Sequence, residues 1–237
     1  MDYQYFYIIW ALIFFAVWLA LFLHRRDLRG AMLFISIVFG IGGIIGQVVF
    51  LEDWWRPLTL LGTPIGIEDF IIGFSIGGIA SVIYIELYHL KFRSVRSESF
   101  SSKVKSRRSN FMGYMFILAF ISVFLGMFYI AHLNSFYSGI IAYFFGIAVI
   151  ALSRKDLIKG SVISGIIMLL LGSMIYYFLF LLFPNYIREF WYLHENWYSK
   201  LVLGIPLAEY IWFFLNGAFI GPLYGFVRNK KLQIGLK

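Results

Sequence analysis

Seven stretches of this chain are apolar over the roughly 20 residues that a helix needs to cross a bilayer core. They lie near Tyr5–Leu23, Gly30–Leu51, Glu68–Leu90, Phe111–His132, Phe136–Leu152, Ser161–Phe183 and Ala208–Val227. Lipid offers the backbone no hydrogen-bond partner, so each stretch must close its own bonds as a helix or join a closed barrel. None alternates as a barrel strand does, which predicts an all-α membrane protein with seven transmembrane helices. A composition of 61% hydrophobic and 14% charged residues agrees with that class. The first stretch has neither a cationic leader nor a small-residue cleavage site, so it reads as a span rather than a signal peptide.

Charge orients the spans. Arg25, Arg26 and Arg29 follow the first; Lys91, Arg93, Arg96, Lys103, Lys105, Arg107 and Arg108 follow the third; Arg154, Lys155 and Lys159 follow the fifth; Arg228, Lys230, Lys231 and Lys237 follow the seventh. Arg56, Arg188 and Lys200 fall on the other face, so 17 of 20 Lys and Arg residues share one side. By the positive-inside rule the N-terminus is outside and the C-terminus cytoplasmic. The same rule accounts for the net charge of +8, so no nucleic-acid partner is expected. The stretch 91–110, rich in Lys, Arg and Ser, reads as a solvated linker that can also attract anionic lipid. The chain has no cysteine, which excludes disulfides and thiolate ligands or nucleophiles.

Two acidic phrases stand at the mouths of spans on the less basic side: LLGTPIGIEDFIIGF (60–74) and VLGIPLAEYIWFF (202–214). Each follows a tryptophan-bearing loop, EDWWRP (52–57) and HENWYS (194–199). Spans one to three and five to seven then form equivalent units joined by span four, a three-plus-one-plus-three plan. The divisions are 1–92, a basic loop with connector helix at 93–133, and 134–237. Parallel repeats of this kind put paired motifs beside a shared cavity near a pseudo-twofold axis.

At these residues the chain resembles the lycopene cyclase domain family, small membrane carotenoid cyclases that occur as paired subunits or tandem fusions. Their mark is Pro-x-Glu-Glu/Asp followed by a Phe-rich helix. IGIEDFIIGF carries Glu68 and Asp69 in the acidic positions, with Gly66 where the proline is expected and Pro64 two residues earlier. IPLAEYIWFF has Pro206 and the second acid, Glu209, with Ala208 in place of the first. The resemblance implies a multi-pass protein of a prokaryotic cell membrane, acting as an intramolecular lyase or isomerase without cofactor or metal. Its partners would be a hydrophobic linear carotenoid, membrane lipid and, in a homo-oligomer, further copies of itself.

The implied reaction protonates a terminal alkene, closes a ring on the resulting tertiary cation and removes a proton. It needs an acid, a base and walls that tolerate a cation. General acid–base groups of this kind contribute roughly 10²–10⁴-fold. Glu68, Asp69 and Glu209 are the candidate catalytic residues. Residues 68 and 69 sit about 100° apart on a helix, so one of them points into a cavity. The bland alternative is that acids at helix starts are ordinary caps. Phe70, Phe74, Trp212, Phe213, Phe214 and Pro206 are the candidate substrate-binding residues, the aromatic faces being able to stabilise a cation by roughly 0.5–2 kcal/mol each. Trp54, Trp55, Trp191 and Trp197 read as interfacial anchors. Glu86, deep in the third span, and His89 one turn later form a second-tier pair. Gly42–Gly46 and Gly73–Gly77 carry the spacing of close helix packing.

Other functions find less support. A retinal-linked rhodopsin needs a lysine inside its last span, and none of the seven windows holds one. There is no phosphate-binding Gly-rich loop, HExxH or His cluster. A transporter would need charges along a path, for which Glu86 is the one candidate. A non-catalytic carotenoid- or isoprenoid-binding protein of the same fold is the main alternative, with Gly66 and Ala208 as its motif departures.

Overall fold

The computed structural model describes residues 3–94, 100–193 and 195–234, and at 94 and 100–110 the backbone alone. The side chains of Arg96, Lys103, Lys105, Arg107 and Arg108, together with His194 and Lys237, lie outside that description. Seven helices are long and apolar enough to span a membrane: α1 (Phe6–His24), α2 (Arg29–Asp53), α3 (Ile67–Leu87), α4 (Phe100–Tyr129), α5 (Ser135–Ser153), α6 (Ile158–Leu182) and α8 (Leu207–Val227). The short α7 (Tyr186–Phe190) lies in the connection before α8. The strands β1 (Leu90–Ser94) and β4 (Lys230–Ile234) pair antiparallel, and β2 (Leu201–Val202) and β3 (Ile205–Pro206) form a hairpin. Because α4 starts at Phe100 rather than near Phe111, much of the 91–110 stretch is strand and helix instead of linker.

The most buried spans are α3 and α8, with α2 laid along α3 and α6 along α8. Lipid is as apolar as any side chain, so such pairs depend on close backbone approach. A Cβ built on Gly73 would lie 3.2 Å from the Gly43 Cα and nearer still to the Phe39 carbonyl oxygen. One built on Gly217 would lie 2.8 Å from the Gly165 Cα. Gly73 and Gly77 thus pack against α2 as their spacing suggests. Gly42–Gly46 does not behave that way: Gly42 has nothing within 4 Å and Gly46 faces Phe50 of its own helix, while Gly43 makes the contact.

Element lengths recur along the chain. The helices α1 and α5 each have 19 residues, α2 and α6 each have 25, and α3 and α8 each have 21. The 3-10 turns Arg26–Leu28 and Lys155–Leu157 precede α2 and α6. At each such turn an arginine grips the same kind of partner. Arg25 donates to both oxygens of Asp27 at 2.9 Å, to Glu86 at 2.6 Å and to the Leu90 carbonyl at 2.7 Å. Arg154 donates to Asp156 at 2.8 and 2.7 Å, to the Asn229 side chain at 3.1 Å and to the Lys230 carbonyl at 2.9 Å. The hydrogen bonds to Asp27 raise the Arg25 guanidinium still further above its ordinary value, against partial burial, and Asp156 does the same for Arg154. His89 and Asn229, each the second residue beyond its helix, both take left-handed backbone, with φ 50° and 46°.

At the opposite end the tryptophan-bearing loops close over the bundle. Arg56 N–H donates to the Phe190 carbonyl at 2.8 Å and Tyr192 N–H to the Trp54 carbonyl at 2.9 Å, zipping the loop after α2 to the segment after α7. Both Leu-Gly pairs sit in turns whose glycine has positive φ, 69° at Gly62 and 81° at Gly204. This is a conformation that glycine adopts without steric cost. Asp53, near the end of α2, accepts bonds from the Ser135 N–H and hydroxyl, pinning the start of α5.

Candidate functional site

Asp69 and Glu209 occupy the third position of α3 and of α8, and both are buried. The residue at each N-cap decides what its acid can do. Gly66 keeps its backbone N–H, which donates to Asp69 Oδ2 at 2.7 Å. Asp69 Oδ1 accepts from the Tyr7 hydroxyl. At the matching position of α8 stands Pro206, which has no N–H to offer. The first donors of α8 are met instead by backbone: Leu207 N–H bonds the Lys200 carbonyl at 2.9 Å and Ala208 N–H the Tyr198 carbonyl at 2.8 Å. Glu209 is thereby released from capping its own helix. Its Oε1 accepts from the indoles of Trp54 at 2.7 Å and Trp191 at 3.0 Å, and its carboxyl also meets the Tyr176 hydroxyl.

The two acids line one chamber of about 70 Å³ beneath the loops, together with Tyr7, Trp10, Gln47 and Tyr176. A half-enclosed apolar cleft of about 140 Å³ adjoins it between α2, α4, α5 and α8, sharing the lining residues Gly43, Phe50, Trp54, Gly73 and Trp212 with the chamber. Among the described residues no Lys, Arg or His nitrogen comes within 4.0 Å of the carboxyl oxygens of Glu68, Asp69 or Glu209, and the ion pairs gather at the other end of the bundle. The arrangement offers two carboxyl groups, two phenols and four indoles beside an apolar cleft. It can exchange protons with an apolar guest.

The remaining candidates are placed differently. Glu68 is buried but turned to the loop, where Oε1 accepts from the Leu60 N–H at 2.6 Å; it holds the loop over α3 and does not line the chamber. Trp212 lines both chamber and cleft. Phe70 packs on α2 at Gly40, Phe214 on α6 at Gly165, and Phe213 on Gly172 and against the outer side of Tyr176. Phe74 packs at a tilt against Trp18 of α1, their ring centroids 4.9 Å apart. These four fill seams between helices. Pro206 lines a small pocket under the loops, beside Ala208. Glu86 pairs with Arg25 and lies 3.4 Å from His24, so the pairing with His89 gives way to an ion pair across the clamp. His89 instead ends α3, its N–H bonded to the Glu86 carbonyl.

Three tryptophans read as interfacial anchors turn inward: Trp54 and Trp191 hold Glu209, and Trp55 donates to Gln47 at 3.2 Å. Trp197 is exposed, as an anchor should be. Sequence reasoning also passed over Tyr7, Trp10, Gln47 and Tyr176. A signal for the α1 pair was present, since Tyr7, Trp10, Phe14 and Trp18 share one helical face that is buried throughout.

No protein-family model, curated protein or solved structure matches the chain.

Proposed function

We propose that this seven-span protein is a carotenoid-cyclase-type isomerase, closing an end ring on a linear polyene by acid–base chemistry without redox turnover, with Asp69 and Glu209 as the proton-handling pair. The observation that carries the reading is that these two acids, from matching positions of α3 and α8, share one chamber beside an apolar cleft. The polyene lies along the cleft and its end group enters the chamber. One carboxyl delivers a proton to the terminal alkene. The ring closes on the tertiary cation, and a carboxylate takes the proton released. Trp10, Trp54, Trp212 and Tyr176 surround the transient cation with aromatic faces, which attract positive charge without forming bonds to it. Glu68 supports the loop roof.

The proposal includes the three-plus-one-plus-three plan, with the N-terminus outside and the C-terminus cytoplasmic. Its support is the equal lengths of paired helices and the matched positions of Arg25 and Arg154, His89 and Asn229, and Asp69 and Glu209. The basic residues at one end favour that orientation. A non-catalytic isoprenoid-binding protein is the second reading, favoured by the two neutral indole donors that already hold Glu209. The test is pigment analysis of a lycopene-producing bacterium expressing the chain. Ring-bearing carotenoids that vanish with Asp69→Asn or Glu209→Gln support the enzyme. Unchanged lycopene beside folded, membrane-inserted protein would leave the binding reading.

A further inference from the structure

The cleft beside the acids ends where rings from four helices converge. Phe219, about halfway along α8 and buried, meets Phe120 of α4 at 4.3 Å, Tyr143 of α5 at 5.8 Å and Phe39 of α2 at 6.4 Å between centroids. Gly146 of α5 packs on the same ring, which a Cβ there would approach to 2.4 Å. Phe39, Phe120 and Tyr143 are the last residues of their helices to line the cleft in that direction. From Phe39 to Phe50 the cleft follows α2 for about 16 Å by the helical rise. An extended C40 polyene is long enough to cross a whole bilayer core of about 30 Å. A chain whose end group sits in the chamber therefore reaches Phe219 with much of its length still to place.

One seam of the cleft is open to take it. The Tyr143 ring lies 5.3 Å from Phe120, tying α5 to α4, and its hydroxyl donates to Asn216 Oδ1 at 2.8 Å, tying α5 to α8. The inner edge of α2 is laid along α3. Between α2 and α4 the rings meet at two levels, Phe34 with Tyr114 at 6.2 Å and Phe50 with Phe124 at 6.1 Å. These levels stand about 15 Å apart along α4. Between them Ile45 and Ile121 line the cleft from the two helices and are half-buried, and a Cβ on Gly42 would meet nothing within 4 Å. The adjoining Ile41, Ile44 and Val48 are exposed, and α4 is the least buried of the seven spans. In a bilayer such a surface is covered by acyl chains.

We infer that the α2–α4 gap is a lateral portal, through which a membrane-dissolved linear polyene inserts one end while the rest of the chain stays in the lipid. Water is no medium for a hydrocarbon of this size, so entry from the acyl chains is the route of least cost. Ile45, Ile121 and Gly42 form the lips of the portal, and Phe219 sets how deep the inserted end can lie. The substrate class narrows to chains longer than the cleft, converted at one end per visit. This inference rests on the reading that a polyene end occupies the chamber.

The chain has no cysteine, so an introduced pair reacts alone. Ile45→Cys with Ile121→Cys is joined across the portal by a short bis-methanethiosulfonate in the purified full-length protein in detergent. Lycopene uptake is followed by the induced circular dichroism of the polyene band, which only bound pigment shows. The link is expected to slow uptake by about tenfold or more, and its reduction to restore the rate. Phe34→Cys with Tyr114→Cys, linked in the same way beyond the portal, should take up lycopene at the rate of its reduced form. Gly42→Phe, which fills one lip, should slow uptake likewise and stands in should the first pair elute as aggregate. The carotene that already carries one ring should bind as tightly as lycopene, its ringed end remaining outside. Uptake unchanged by the portal link or by Gly42→Phe, equal slowing by the two links, or rejection of the one-ringed carotene overturns the inference. Cyclised product together with unchanged uptake sinks only this inference. No induced signal from the wild type sinks it along with the polyene reading.

Discussion

Gly43→Ala puts one methyl group where two helices touch backbone to backbone. A Cβ at Gly43 would lie 3.5 Å from the Gly73 Cα and much closer to the Asp69 carbonyl oxygen. Overpacking a dense interior costs about 1–3 kcal/mol when side chains can move aside. Here the obstacle is backbone on α3, with no rotamer to change, so the upper end, about 3 kcal/mol, applies. For a chain of this size each kcal/mol moves the midpoint by about 2–4 °C, giving a fall of about 6–12 °C. The neighbouring Gly42→Ala is the control, since its Cβ meets nothing within 4 Å. Alanine there relieves a helical glycine and should leave the midpoint level or slightly raised. Thermal unfolding in detergent, followed by circular dichroism, compares the two. The Gly43 change also pushes on Asp69 itself, so any activity should fall with it. Equal melting of the two variants would refute the α2–α3 packing described here.

Arg25→Met removes a guanidinium that bonds two carboxylates and a carbonyl, leaving Glu86 without its arginine, and should destabilise by about 2–3 kcal/mol in the same melts. Arg154→Met, which frees one carboxylate, should cost less. Because Arg25 titrates above its ordinary value in the folded chain and its partner Asp27 below its own, the stabilisation is lost only when pH falls into the carboxylate range or rises past the ordinary arginine value, so the wild-type advantage should stay flat from about pH 6 to 9. Pro206→Ala restores an N–H at the start of α8 that can draw Glu209 into a capping box; melts should rise by up to about 1 kcal/mol while any turnover falls several-fold. His89→Gly places the preferred residue in a left-handed helix end and should hold or raise the midpoint with any turnover unchanged, whereas a loss of turnover would return His89 to the site.

Much of the scaffold was legible because lipid permits few backbone solutions, and an apolar run of span length is itself a helix signal. Asp69 and Glu209 were legible because carboxyl groups at helix mouths are costly to bury and these two recur in matching phrases. The direction of side chains around each helix was not. A span that is apolar on every side has no amphipathic stripe to reveal its inner face, so Phe70, Phe74, Phe213 and Phe214 could not be told from cavity walls. The tryptophans misled for a related reason: indole suits an interface, yet Trp54 and Trp191 find a buried carboxyl to serve. The exchange of proline for glycine between the two phrases was visible as a departure. Its consequence, one acid tied to its own helix and the other set free, became apparent only when the backbone N–H groups were followed to their acceptors.

The most direct measurement of the central claim is mass spectrometry of carotenoids formed from lycopene in D₂O by membranes holding the wild-type chain or Glu209→Gln. Proton delivery from the Asp69–Glu209 chamber predicts a cyclised product with one deuterium retained per ring closed, and no such product from the variant. Undiminished cyclisation by Glu209→Gln, or a ring product free of deuterium, would contradict it.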